Sequence, residues 1–209
     1  MNTEYNTNEK QILTGLLALV SKDGEEAAEL LFRRYNGLRE ILEADLYSLS
    51  DVLGKHKKFA SYIQIAVALV SRSVTDKFKF GKKHTIDEIT DYFKALFLGL
   101  PVETVYIMSF DKERRIIACD YAGEGTVNFS SVFPRKLLEI AIKRKAASII
   151  IAHNHPGGYA KPSAEDEEST EALSHLFSAS GISLDAHYVI AGTDAYRMEE
   201  QPEQERINE

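Results

Sequence analysis

Two histidines separated by one residue, His153 and His155, close an apolar run, and Ser163-x-x-Asp166 follows after a seven-residue gap. Side chains alternate along a strand, so residues two apart at a strand end face the same side. Both imidazoles can then reach one ion at about 2.0–2.1 Å. Pro156-Gly157-Gly158 ends the strand and turns the chain, and Pro162-Ser163 opens the next helix. That puts Asp166 in the first helical turn, able to face back toward the histidines. Two imidazoles and one carboxylate leave a fourth tetrahedral position for water, the layout of a catalytic zinc site. Ser163 and Asp166 carry a second reading as well, because Ser-x-x-Asp is a helix-capping signature. His56, His84, His175 and His187 are scattered, and most of them read as ordinary surface or hydrogen-bonded histidines.

Composition narrows the alternatives. Cys119 is the single cysteine, which excludes an internal disulfide, fits a reducing cytoplasm and removes every thiolate zinc cage. It falls inside a strand pattern with no base beside it, so it reads as a small buried hydrophobe and not as a nucleophile. Any zinc site must use imidazole and carboxylate. No apolar run approaches the roughly 18 residues that a membrane-spanning helix requires. The polar start MNTEYNTNEK lacks the layout of a secretion signal. A cytoplasmic protein with no membrane partner is expected. The net charge of −7 argues against wholesale coating of nucleic acid, but it is unevenly spread. From Lys55 to Lys83 eight Lys/Arg face one acid, Asp76, whereas from Glu165 to Glu209 twelve acids face Arg197 and Arg206. The basic middle is either a phosphate-facing patch or ordinary solvated surface.

The elements that would position the site follow from periodicity. Residues 8–72 repeat apolar positions at helical spacing, broken at Gly24, Gly37 and Gly54, and predict a bundle of about five short helices. Residues 76–84 (DKFKFGKKH) are charged and aperiodic and read as a linker, with a boundary near residue 80. After it, Ile86–Leu98 is an amphipathic helix. Glu103–Phe110 and Arg115–Tyr121 form a hairpin. Pro134–Lys145 is a helix with proline at its first position. Ala147–His153 is a strand buried on both faces, Ser163–Ser180 a helix, and Leu184–Ala191 the final strand. The order α-β-β-α-β-α-β indicates an α/β domain with a mixed sheet over 81–200, following a helical domain over 1–80. Residues 201–209 read as a disordered tail.

The string His153-x-His155-Pro156, with a seven-residue gap after His155 and then Ser163-x-x-Asp166, resembles the JAMM (MPN-type) metalloprotease motif. The longer form AHNHPGGYAKPSAED is similar to the RadC-like bacterial branch of that superfamily. Gly125-Thr126 with Val132-Phe133-Pro134-Arg135, and Leu184-Asp185-Ala186-His187 with Gly192, support the resemblance. It implies helices around a mixed sheet, similar in outline to the cytidine deaminases, and zinc held by His153, His155 and Asp166. It also implies a glutamate acting on the water, just after the first helix of the domain. Leu100-Pro101-Val102-Glu103 matches that place, so Glu103 is the candidate base, with Asp120 and Glu124 as rivals. Ser163 is implied to contact the reacting water or the oxyanion. Residues 8–72 resemble the branch weakly. Its helix-hairpin-helix element carries a glycine-rich turn that meets DNA phosphates, where this chain reads Val52-Leu53-Gly54-Lys55-His56-Lys57-Lys58. Gly157 stands where the branch commonly has serine.

The sequence therefore supports a zinc-dependent hydrolase acting on a peptide or isopeptide substrate. The alternative is a DNA-associated, repair-linked accessory or scaffold protein whose metal site does not turn over. Nucleic-acid binding, if present, is expected to be weak and sequence-independent.

Overall fold

The computed structural model describes residues 3–124 and 132–199. The chain divides into two compact units, one of Met1–Thr75 with Leu98–Pro101, the other of Asp76–Phe97 with Val102–Glu209.

The first unit is helical: α1 (Thr3–Val20), α2 (Gly24–Arg34), α3 (Leu38–Glu43), α4 (Leu46–Leu53) and α5 (Lys58–Thr75). A 3-10 turn over Gly54–His56 joins α4 to α5. Leu13, Leu17, Ala27, Ala28, Leu31, Ile41, Leu49, Phe59 and Ile63 recur at helical spacing and fill one core. Asp45 caps α4 by accepting the Ser48 N–H at 2.9 Å. Gly24 starts α2 directly against α1, where an added Cβ would fall 2.3 Å from the Leu17 carbonyl carbon.

The second unit is a mixed α/β fold. After α6 (Ile86–Phe97) come β1 (Thr104–Phe110), β2 (Ile116–Glu124), α7 (Val132–Arg144), β3 (Ser148–Asn154), α8 (Ala164–Ala179), β4 (Ser183–Ala191) and β5 (Asp194–Glu199). The five strands lie in the order β2-β1-β3-β4-β5. Only β3 and β4 are parallel; the β1–β2, β1–β3 and β4–β5 pairs are antiparallel. Every residue of β3 is buried, as its unbroken apolar run demands of a central strand. One sheet face packs Val105, Ile107, Ile149 and Ile151 against Leu137 and Ala141 of α7 and Leu173 and Phe177 of α8. On α6, Phe93 meets Tyr188 and Phe97 meets Tyr106, both at 5.5 Å between ring centroids. No helix among the described residues is long and apolar enough to cross a membrane.

Three expectations are corrected. Residues 76–84 pack within the second unit: Phe78 stacks on His84 at 4.0 Å and meets Tyr92 at 4.2 Å. The Gly81 N–H donates to the Ile116 carbonyl, and the Ile116 N–H to that of Lys82. The charge of the segment hid aromatic contacts at the surface of the unit, where a half-buried Phe78 and an exposed Phe80 meet Tyr92. Second, β4 is not the last strand. Ala191 pairs with Asp194 in a hairpin whose turn is Gly192-Thr193, with Gly192 at φ +59, so β5 follows. Its charged residues suit an edge strand and gave no strand signal. Third, α7 begins at Val132, which places Pro134 at its third position. The first turn tolerates this because its N–H groups have no partner within the helix. The motif residues Gly125-Thr126 and the tail 201–209 lie outside the described residues.

Candidate metal centre

The strand β3 carries Ile149, Ile151 and His153 on its α8-facing side, with Ile150, Ala152 and Asn154 on the other. His153 thus continues an apolar row to the strand end and is only 2% exposed. One residue past the strand, the His155 N–H still donates to the Ile190 carbonyl at 2.8 Å, so β4 holds its backbone as well. The chain then turns through Gly157 at φ +65, a conformation that favours glycine. The Gly158 N–H closes the turn on the His155 carbonyl.

A parallel β3–β4 pair needs a crossover, and α8 supplies it. Its N-terminus therefore returns beside the end of β3 and brings Asp166 there. Ser163 is the N-cap, and its side chain and that of Asp166 form a reciprocal capping box. The Asp166 Oδ2 accepts from the Ser163 N–H at 2.8 Å and from the Ser163 hydroxyl at 2.7 Å. The capping reading and the ligand reading of Asp166 are thus compatible: the box fixes the carboxylate while Oδ1 faces His153. The hydroxyl of Ser163 is engaged with Asp166 on both sides, since it also accepts the Asp166 N–H.

The contacts are close. His153 Nε2 lies 2.9 Å from His155 Nε2, Asp166 Oδ1 lies 3.2 Å from His153 Nε2, and Asp166 Oδ2 lies 3.4 Å from His155 Nε2. Ligands at about 2.0–2.1 Å around a tetrahedral ion stand about 3.3–3.4 Å from one another. Two imidazole lone pairs facing each other at such a distance repel unless a proton or a cation lies between them. The donor set and its spacing fit a small divalent cation.

Glu103 reaches the same place through the sheet. In the antiparallel register Val105 lies opposite His153, so two residues earlier Glu103 falls opposite His155. The side chain of Asn154 clamps that approach, accepting the Thr104 N–H at 2.7 Å and donating to the Val102 carbonyl at 3.2 Å. The residue held between them is Glu103. Ligand atoms of Glu103, His153 and His155 all lie within 4.8 Å of one another, so a carboxylate stands on this side of the imidazoles too. The rivals are engaged elsewhere. Asp120 forms an ion pair with Arg144, at 2.7 Å to Nε. Glu124 closes β2, opposite Thr104, and its side chain is bonded to that of Tyr121.

The electrostatics agree with the geometry. Burial pushes the Glu103 carboxyl above its ordinary value, against the pull of the two imidazoles. Burial acts on Asp166 in the same sense, but hydrogen bonds from His153, His155 and Ser163 outweigh it and hold the carboxyl far below the usual range. The bond to Asp166 raises His155. Burial drives His187 down to about 3, so this imidazole is neutral.

His187 is the residue that sequence reasoning passed over. It is 3% exposed, and its Nε2 lies 2.8 Å from Nδ1 of His153. Its only signal was a place in the Leu184–His187 string at the start of a strand. Asn154 was passed over as the middle residue of the motif. Cys119 keeps its neutral thiol, pushed up to about 12 by burial.

The RadC-like JAB domain family matches residues 84–203. The chain is also similar to UPF0758 proteins. It is 28% identical to one from Janthinobacterium sp. (strain Marseille), over 88% of this chain and 83% of that protein. One from Shewanella woodyi is 31% identical, over 84% and 81%, and one from Thioalkalivibrio sulfidiphilus 31%, over 82% and 78%. The family match spans more than half of the chain and contains His153, His155, Asp166 and Glu103 together, and the chain belongs to the RadC-like JAB domain family.

Proposed function

We propose that this protein is a zinc-dependent hydrolase of peptide or isopeptide bonds, with His153, His155 and Asp166 as ligands and Glu103 as general base. The observation that carries the reading is the convergence of those three ligand groups at 2.9–3.4 Å, with a second carboxylate beside them. Asp166 is assigned as ligand and Glu103 as base because Asp166 makes the direct contacts to both imidazoles, whereas Glu103 stands across the sheet register from His155. When bound, zinc would polarise an amide carbonyl and acidify a water molecule. Glu103 would take the proton of that water and deliver it to the leaving nitrogen, a cycle suited to a carboxyl raised by burial. Asn154 would keep Glu103 on that path by holding the backbone on either side of it. Ser163 would act through Asp166, whose carboxylate it orients.

The test combines metal content with turnover. Natively purified protein should hold close to one zinc per chain. The zinc-loaded protein should cleave members of a mixed quenched-fluorescent peptide library. Glu103→Gln should keep the zinc and lose about 10²–10⁴-fold in rate. Full activity in Glu103→Gln would refute its role as base, and no zinc uptake at all would refute the site.

A second reading, DNA association, draws on the α4–α5 turn. Gly54 there adopts φ +50, and Lys55, Lys57 and Lys58 follow it.

A further inference from the structure

We infer that His187 and Thr170 are positioning residues that fix which nitrogen of His153 carries the proton, and so hold the Nε2 lone pair of His153 on the metal position. The inference rests on the metal reading and extends it beyond the three ligands.

The chain of contacts begins at an acceptor that cannot donate, the backbone carbonyl of Asp166. The Thr170 hydroxyl lies 2.6 Å from it and donates to it, as threonine commonly does to the carbonyl four residues back in a helix. The Ser169 hydroxyl donates to the same oxygen at 2.9 Å. With its proton committed, Thr170 Oγ1 is an acceptor toward His187 Nδ1, 2.7 Å away. His187 therefore carries its proton on Nδ1, and its Nε2 is a lone pair. That lone pair lies 2.8 Å from His153 Nδ1 and accepts the N–H there. With an ion bound, the imidazole is neutral and has one N–H, so His153 Nε2 then offers its lone pair to the ion in place of its hydrogen bond to Asp166. It is this atom that lies 2.9 Å from His155 Nε2 and 3.2 Å from Asp166 Oδ1.

Run in reverse, the same chain puts a proton on His153 Nε2, where it blocks an ion. The direction matters, and Thr170 sets it. The device also joins two ligands that are distant in sequence: it starts on the backbone of Asp166 and ends on the ring of His153. His187 is placed for this by the parallel pairing of β3 and β4, which sets it opposite Ile151, on the same face as His153. Metal-bound histidines generally donate their second N–H to a carbonyl, carboxylate or water. Here a buried imidazole takes that part, backed by a hydroxyl.

The test uses the full chain and zinc alone. Thr170→Val keeps the volume and removes the hydroxyl, whereas Thr170→Ser keeps the hydroxyl. In competition with a chromophoric chelator, Thr170→Val should weaken zinc binding about tenfold or more, and Thr170→Ser by no more than about twofold. Long-range ¹⁵N–¹H spectra of zinc-loaded wild type should show His187 and His153 both protonated on Nδ1. That measurement needs no variant to fold. His187 protonated on Nε2 would overturn the inference, as would unchanged zinc affinity in Thr170→Val, or equal losses in Val and Ser. If wild type itself takes up no zinc, the metal reading falls and the inference with it.

Discussion

The two units bury polar groups very differently. Among the described residues of the helical unit, His56 alone is a buried polar side chain, whereas the α/β unit buries Thr104, Ser109, Ser148, His153, Asn154, Asp166, Ser169 and His187. Buried polar groups are costly unless they are bonded. Around the site that cost is met by connection: Asn154 is tied to the segment around Glu103, Asp166 to Ser163, and His153 to His187, which in turn meets Thr170; the Ser109 hydroxyl, in β1, has no hydrogen-bond partner among the described residues. A core built only for stability has little use for such a cluster. The helical unit is packed by shape, and the α/β unit is packed by shape around a charged, connected site.

The largest effect expected from this difference is on metal-linked stability. Zinc at a thousand times its Kd should stabilise the α/β unit by about 4 kcal/mol. His153→Ala should abolish that gain. Calorimetry with and without zinc reads it directly. A gain that survives His153→Ala would move the metal elsewhere and erase the contrast between the units.

How much of this could be read from the residues depends on whether the relevant geometry is local. His153-x-His155 needs only strand alternation, and Ser163-x-x-Asp166 needs only a helix start, so both pairs stood out before any sheet was known. Glu103 came from a resemblance. Its place opposite His155 depends on β1 pairing with β3, and nothing in the two segments specifies that register. His187, Thr170 and Asn154 were illegible for the same reason. Each matters through a partner between 17 and 50 residues away. The mixed sheet was legible from the order of elements, but β5 was not, because an edge strand rich in charge lacks the alternation that marks a strand. The aromatic packing of Phe78 and Phe80 was masked by the lysines around them.

A smaller effect should separate the units from the other side. Gly24→Ala drives a Cβ to within 2.4 Å of the backbone nitrogen of Ala18. Neither backbone can yield without moving a helix, so a loss of about 1–3 kcal/mol is expected on urea unfolding. The zinc affinity should be unchanged, since no site residue lies in that unit. A parallel fall in zinc affinity would show that the helical packing supports the site, and the contrast would need redrawing.

The smallest effect expected is DNA binding by the helical unit. The turn between α4 and α5 presents Lys55, Lys57 and Lys58, but two of these already have internal partners. Lys55 pairs with Glu26 at 3.1 Å, and the Lys58 ammonium donates to the Ser21 hydroxyl at 3.2 Å. Both contacts are at the surface and weak, so a phosphate could displace them, but at a cost that an idle lysine would not carry. Two or three phosphate contacts are therefore expected, which gives a slope of log affinity against log salt of about −2 to −3. The net charge of −7 works against approach of the duplex. Fluorescence anisotropy on a labelled duplex should find binding nearly gone by about 0.2 M salt. The same curve should appear with zinc chelated, because the lysines and the proposed metal ligands belong to different units. Lys57→Glu should make the slope shallower by about one contact. Nanomolar affinity that survives such salt, or that vanishes with the metal, would place DNA association ahead of hydrolysis.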